Sequence, residues 1–306
     1  MKRNIHTITG GFGYTGTYLS KALIKHGKIV ETLTNSPEKK TIDSQKMVAH
    51  PLDFENEEGL IVSLKNTEVL YNTYWVRFNH KLFNHQQAVT NTFKLFYAAK
   101  EAGVRRIVHV SITNADSKSN LDYFRGKGEI EEYLKKLGID YTIVRPAVLF
   151  GGKDILINNI AWSLRHLPLV GMPGRGKYQL QPIHVYDFAK QLAYAGEKVG
   201  KNIEVALGPE RYSYVDLLNM IKKELKLKTV IIPMPNRLAW LGAQILGYFL
   251  NDVMLTWPEV LGLRQETLWE DQEPTGKVHL REWVKKHKDT LGNEYHNELD
   301  RRSKKG

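Results

Sequence analysis

The stretch Thr9-Gly10-Gly11-Phe12-Gly13-Tyr14-Thr15-Gly16 constrains this chain more than any other. It follows Ile5-His6-Thr7-Ile8, which reads as a short strand. It precedes Tyr18 to Gly27, apolar at helical spacing and ended by a glycine. Strand, glycine turn and helix in that order suit a dinucleotide pyrophosphate. Glycines permit the tight turn and close backbone approach, and the helix N-terminus offers N–H groups to phosphate. Two registers fit, Gly10-x-x-Gly13-x-x-Gly16 and Gly11-x-Gly13-x-x-Gly16. The bland alternative is an ordinary turn closing a βα unit.

Strand and helix patterns alternate through the first half. Strands are expected at 29–33, 46–50, 69–73, 106–110 and 141–144, and helices at 57–65, 84–102 and 121–137. This βαβ series predicts an α/β fold, a doubly wound parallel sheet, over residues 1–150. Beyond 150 the rhythm changes. A helix at 155–166 precedes a Gly/Pro-rich loop at 171–176, a strand at 178–185 and a helix at 186–197, and the segments after Gly208-Pro209 are mostly helical. The expected division returns 178–207 to the sheet domain. It leaves 151–177 and 208–306 as a smaller, mostly helical lobe for substrate or a partner.

The formal charge of +11 invites a nucleic-acid reading, but 1–150 carries 21 Lys/Arg against 15 Asp/Glu and the rest 23 against 18. The excess is spread over the chain, and the only local basic run is the tail Arg301 to Lys305, so no nucleic-acid partner is expected. With no cysteine there are no disulfides, thiol nucleophiles or cysteine metal sites. The eleven histidines show no zinc-type spacing, and no metal is expected. The first strand begins directly after Met1-Lys2-Arg3-Asn4, leaving no room for a signal peptide. A cytoplasmic location is expected on these grounds. Leu238 to Leu250 is almost wholly apolar yet too short for the roughly 20 residues that span a bilayer. It reads as a buried helix or pocket wall, or else as a peripheral membrane or subunit contact.

Tyr123-Phe124-Arg125-Gly126-Lys127 is the second informative feature. Tyr and Lys four apart on a helix share one face. An ammonium beside a phenol favours the phenolate and makes Tyr usable for proton transfer to or from an alcohol or carbonyl. The pair falls just after the fifth strand, whose end supplies the hydroxyls of Ser111 and Thr113 at the edge where such sheets bind ligands.

With these residues the chain resembles the short-chain dehydrogenase/reductase superfamily in its extended and atypical branches, over most of its length. Thr9-Gly10-x-x-Gly13-x-x-Gly16 matches the phosphate-binding turn, and Asn91 matches a recurrent helix position. Gly103 to Ser111 matches the fifth-strand signature and Tyr123/Lys127 the catalytic pair. Arg145-Pro146-Ala147-Val148-Leu149-Phe150-Gly151 and His184-Val185-Tyr186-Asp187 match later landmarks. NmrA-like proteins and the relatives of a respiratory complex I accessory subunit look nearest. The resemblance implies a Rossmann fold and NADP or NAD as cofactor. It implies Tyr123 as acid/base, with Lys127 lowering its pKa and holding the nicotinamide ribose. Thr113, or failing it Ser111, would hydrogen-bond the substrate oxygen. Gly10, Phe12, Gly13, Tyr14, Thr15, Gly16, Asn72, Thr73 and Pro146 would border the cofactor, and Asp53 would reach the adenine. Ser111 and Thr113 simply ending a strand, and Asp53 capping a turn, are the structural alternatives.

The implied activity is hydride transfer between nicotinamide and a small-molecule substrate, by a reductase or an epimerase. The alternative is a non-catalytic NAD(P)H-binding sensor or accessory subunit. The Tyr123/Lys127 pair selects the Gly10/Gly13/Gly16 register. Where an NAD enzyme carries a carboxylate after the second strand, this chain has Thr34 and Asn35, followed by Ser36, Lys39 and Lys40, which favours NADP. Aromatic residues fill 71–78, either packing a lobe interface or lining a pocket for a flat substrate.

Overall fold

The computed structural model describes residues 4–38, 47–265 and 267–303. Lys39 and Lys40 lie outside the described residues. The chain divides into two compact units, one reaching to Pro146 and including Phe188–Ala206, the other formed by Ala147–Asp187 and the residues from Leu207 onward.

The first unit follows the expected alternation closely. β1 (Ile5–Thr9), α1 (Tyr14–Lys25), β2 (Ile29–Thr34), β3 (Val48–Pro51), α2 (Glu57–Leu64), β4 (Thr67–Asn72), α3 (His85–Glu101), β5 (Arg106–Val110), α4 (Asp122–Lys136) and β6 (Asp140–Pro146) run in order. Helix α1 begins at Tyr14, four residues earlier than the apolar spacing indicates, because its first turn is the end of the glycine motif itself. On one side of the sheet Leu60, Leu64, Val89, Leu95, Phe96, Ile130 and Leu134 of the helices close over Leu33, Leu70, Ile107 and Ile143 of the strands. Burying a side chain of this size contributes about 1.5–3 kcal/mol each relative to exposure.

The second unit opens with β7 (Val148–Phe150), α5 (Leu156–His166), β8 (Leu169–Pro173), β9 (Gln179–Leu180), β10 (Pro182–His184) and α6 (Val185–Glu197). The expected strand at 178–185 is thus two short pieces, and the Gly/Pro-rich loop begins as strand β8, paired in parallel with a later strand. From Phe188 onward α6 belongs to the first unit, as does β11 (Lys201–Ala206), a seventh strand with no counterpart in the sequence expectation. β12 (Tyr212–Ser213), α7 (Tyr214–Glu224), β13 (Val230–Met234), α8 (Asn236–Leu250), α9 (Trp257–Arg264), α10 (Leu280–Lys286) and α11 (Glu298–Ser303) complete the chain. Phe150, Ile157, Leu164, Leu217, Ile221 and Val284 build this unit's own core.

The sheet order is β11-β6-β5-β4-β1-β2-β3, and every pairing is parallel. Strand order reverses between β1 and β4, and ligands of such sheets bind beyond the carboxyl ends of the strands at that reversal. Arg106 explains how β11 is held. Its fully buried guanidinium donates to the carbonyls of Ala195 (2.9 Å), Gly200 (2.8 Å) and Tyr141 (3.1 Å), joining α6 and the approach to β11 to the adjoining strand. Gly196 is dictated by its neighbour, since a Cβ there would lie 1.9 Å from the Tyr71 hydroxyl.

Helix α8 departs from the buried reading of 238–250. Of its residues only Ala239 and Gly247 are buried, while Leu238, Leu241, Ile245, Tyr248 and Phe249 face outward. Among the described residues no helix is long and apolar enough to cross a membrane.

Candidate functional site

The glycine turn is a backbone cradle, closed to a Cβ at Gly11 and Gly16. Gly10 adopts φ +68°, a left-handed conformation that glycine tolerates, and its N–H donates to the Leu33 carbonyl at 2.8 Å. The Gly13 N–H donates to the Gly10 carbonyl, and Gly13 caps α1 without a side chain. A Cβ on Gly16 would lie 2.1 Å from the Gly10 oxygen and 2.7 Å from the Gly11 Cα, so only glycine lets the helix start against the turn. Gly11 is equally confined, its Cβ position 2.7 Å from the Thr32 hydroxyl that accepts its N–H. Gly11 and Gly16 are therefore sterically required, whereas Gly10 is required by its φ. The first turn of α1 contains no acidic residue, so nothing there opposes an anion at the positive end of the helix. These residues fit a dinucleotide pyrophosphate.

Beside the turn, at the reversal point, a buried network fixes the end of β4. The Thr9 hydroxyl donates to Asn72 Oδ1 (3.0 Å) and accepts from the Thr73 N–H (2.8 Å), and the Thr73 hydroxyl donates to the Thr9 carbonyl (2.6 Å). Asn72 Oδ1 also accepts from the Tyr74 N–H, so its amide nitrogen donates to His109 Nδ1 at 3.1 Å. The His109 proton is thereby assigned to Nε2. Burial, reinforced by the Lys127 charge, holds His109 well below the usual histidine pKa, so it is neutral. Asn72 and Thr73 thus stand beside the glycine turn, positioned by β1 rather than by loop chance.

Tyr123 and Lys127 lie one turn apart on α4, and the ring of Trp75 is the neighbour they share. Lys127 is only 2% exposed. Its Nζ donates to the Val110 carbonyl at 2.7 Å and sits 4.4 Å from the centre of the Trp75 ring. Burial pulls its pKa down to about 7, with Glu131 opposing the shift. Half-buried Tyr123 packs edge-on against Trp75 and against His85, each at 5.6 Å between centroids, and His85 stacks on Trp75. Gly126 makes this packing feasible, because a Cβ there would lie 2.9 Å from the Trp75 ring. The aromatic run therefore packs within the first unit. Tyr74 tilts against Phe54 and accepts a hydrogen bond from Asn91 Nδ2, while Trp75 covers Lys127.

The two candidate hydroxyls differ in surroundings. Ser111 donates to Glu131 Oε1 at 2.6 Å, and Glu131, 1% exposed, is held by Arg145 Nε at 2.9 Å and Nη2 at 2.5 Å. Thr113 is fully buried, and its N–H donates to the carbonyl of Pro146, which brings β5 and β6 together at their ends. At the tip of β2, Asn35 is exposed and the Ser36 N–H donates to the Thr34 hydroxyl. Asp53 is exposed, and its Oδ1 accepts from the Glu55 N–H in a local turn. Arg125 is ion-paired with Asp122 and borders a cavity of about 240 Å³ between α3 and α4, lined also by Asn79, Asn84, His85 and Glu129.

Sequence reasoning missed three participants. Trp75 gave a signal only as one of several aromatics, and nothing in its neighbours names Lys127 as its partner. Glu131 and Arg145 are fourteen positions apart on different elements, and only the sheet brings them together.

Comparison with known proteins agrees with this geometry. Residues 10–159 match the family described as NAD(P)H-binding. The chain is 26% identical over 241 residues, 76% of its length, to the mitochondrial NADH-ubiquinone oxidoreductase 40 kDa subunit of Neurospora crassa. It is 26% identical over 252 residues, 78% of its length, to the mitochondrial NADH dehydrogenase [ubiquinone] 1 alpha subcomplex subunit 9 of Rattus norvegicus. The matches span 63% and 66% of those proteins' own lengths. Among solved structures, the NADPH-dependent quinone oxidoreductase of Escherichia coli complexed with NADPH superposes with a TM-score of 0.75. It covers 91% of this chain and 98% of that one, at 19% identity, which is a likeness of fold. The glycine cradle at the strand reversal and the match over residues 10–159 together identify an NAD(P)H-binding domain of Rossmann fold, in a chain similar to accessory subunits of complex I.

Proposed function

We propose that this protein holds NAD(P)H as a retained ligand, in an accessory or sensing role, rather than turning it over with Tyr123 as acid/base. The carrying observation is the state of Lys127. Its Nζ donates to the Val110 carbonyl and lies against the Trp75 ring. A lysine whose pKa falls to about 7 is also a poor cation for stabilising a neighbouring phenolate at neutral pH. The relation to complex I subunits supports the same role. In this reading the turn at Gly10–Gly16 cradles the pyrophosphate, Asn72, Thr73 and Pro146 border the nicotinamide half, and Thr34, Asn35 and Ser36 accept a 2′-phosphate. The cofactor itself would supply hydride chemistry when bound, and the chain's contribution is binding and orientation. NADPH is preferred over NADH, since Thr34 and Asn35 stand at the end of β2 where an NAD enzyme carries a carboxylate.

The test is calorimetric titration with both cofactors, followed by NADPH oxidation assays with quinone and carbonyl acceptors on wild type and Tyr123→Phe. Tight NADPH binding with no Tyr123-dependent turnover is expected. Robust turnover that Tyr123→Phe abolishes, with affinity intact, would establish the reductase instead. Equal affinity for the two cofactors would remove the preference.

A further inference from the structure

We infer that the outward face of α8, with the cations Lys226, Lys228 and Arg237 around its start, docks flat on an anionic lipid surface. Leu238, Leu241, Ile245, Tyr248 and Phe249 recur at spacings of three and four and fall within an arc of about 100° on the helix. All five are exposed, Tyr248 at 81% and Phe249 at 74%. Large apolar side chains gathered on one exposed helix face mark an interaction surface, whereas scattered ones need no explanation. The preceding strand β13 adds exposed Val230 and Ile232.

The helix is firmly seated, so this exposure is not that of a frayed end. Gly247 lies so close to the Asp252 carbonyl that a Cβ would stand 2.6 Å from it. Asp252 in turn accepts from the Tyr295 hydroxyl (2.8 Å) and the Glu298 N–H (3.0 Å), and Asn297 donates to the Leu250 carbonyl (2.9 Å). Trp240 packs edge-on against Trp257, and Gln244 donates to the Leu255 carbonyl.

Charge selects the occupant. From Leu225 to Asn251 the chain contains no Asp or Glu, although 33 are spread through its 306 residues, and it carries Lys226, Lys228 and Arg237. All three cations are exposed. A second copy would bring these cations against their own equivalents with no carboxylate between them. An anionic headgroup layer pairs with them while the apolar face enters the acyl boundary. The helix is about 22 Å long at 1.5 Å per residue, too short to span the hydrocarbon core but suited to lying along its edge. Tyr and Phe at its end suit that boundary.

The test is flotation of the full chain with vesicles of phosphatidylcholine and phosphatidylglycerol in equal parts, against phosphatidylcholine alone. Binding to the mixed vesicles is expected, weakened by salt. Ile245→Glu with Phe249→Glu should abolish it. Lys228→Gln with Arg237→Gln should weaken it roughly twenty-fivefold, at about fivefold per cation. All four positions are exposed, and retained NADPH binding verifies that each variant is folded. No flotation of the wild type, equal binding to neutral vesicles, or undiminished binding of the Glu variant would overturn the proposal. So would a dimer in sedimentation velocity that the Glu variant dissolves while vesicles are ignored.

Discussion

Replacing Gly16 by alanine separates steric from conformational demands in the cofactor cradle. The new methyl would lie 2.1 Å from the Gly10 carbonyl oxygen and 2.7 Å from the Gly11 Cα, both backbone atoms. To reach even a very tight 3.0 Å, the start of α1 must withdraw by about 0.9 Å. Overpacking of this kind costs about 1–3 kcal/mol. Near 2 kcal/mol, the melting temperature should fall by roughly 4–8 °C. The same withdrawal moves the N–H groups of the first helical turn away from the pyrophosphate, and a tenfold loss of NADPH affinity, about 1.4 kcal/mol, is the expected minimum. Gly10→Ala provides the contrast. Its Cβ meets nothing closer than the Thr73 hydroxyl at 3.8 Å, but its φ of +68° costs an alanine about 1 kcal/mol. Gly13→Ala, at φ −77° and 3.0 Å from the Gly10 oxygen, should leave stability nearly unchanged. Thermal melts with and without NADPH, together with calorimetric titration, read both effects. A Gly16→Ala protein that melts and binds like wild type would refute the cradle.

Further consequences follow from buried groups. Lys127 has a folded pKa near 7, below its unfolded value, so the unfolded chain binds the extra proton between about pH 7 and 10. Its contribution therefore makes stability rise with pH across that window, with a slope approaching about 1.4 kcal/mol per unit. Lys127→Met should flatten the urea-derived profile there, and an unchanged slope would place the lysine in solvent. His6, pulled down to about 4 mainly by burial, acts in a lower window. Stability is lost as pH falls from about 6.5 to 4, and a His6→Phe variant with the same acid limb would contradict this. Gly196→Ala, blocked by the Tyr71 hydroxyl at 1.9 Å, should cost roughly 2 kcal/mol by denaturation without altering NADPH affinity. Ser111→Ala should cost about 1 kcal/mol through its lost bond to Glu131, again with affinity retained; a collapse of affinity would mean that Ser111 meets the ligand.

Much of the fold was legible because its signals are local. The first unit's strands and helices fall within a few residues of the expectation, since each is marked by apolar period and by Gly or Pro stops. Strand β11 escaped because it is a short edge strand, Lys201–Ala206, whose first four residues are not buried. Its place depends on Arg106, nearly a hundred positions away in sequence. Strand β8 escaped because Gly171 and Pro173 read as loop residues, and pairing with β13 overrides that local preference.

For the site, the chain alone determined the glycine cradle, the hydroxyls at the end of β5 and the Tyr123/Lys127 spacing, because helix geometry and steric exclusion act over a few residues. What those groups do was decided by the tertiary structure. The same four-residue spacing is compatible with a phenol beside a solvated ammonium or with a lysine sealed beneath Trp75. Likewise, an apolar segment at 238–250 can be buried or displayed, and only its seating on Ala239 and Gly247 turns Leu238, Ile245 and Phe249 outward. Burial, charge pairing and pKa are set by neighbours that the fold brings from distant positions, and no local pattern encodes them.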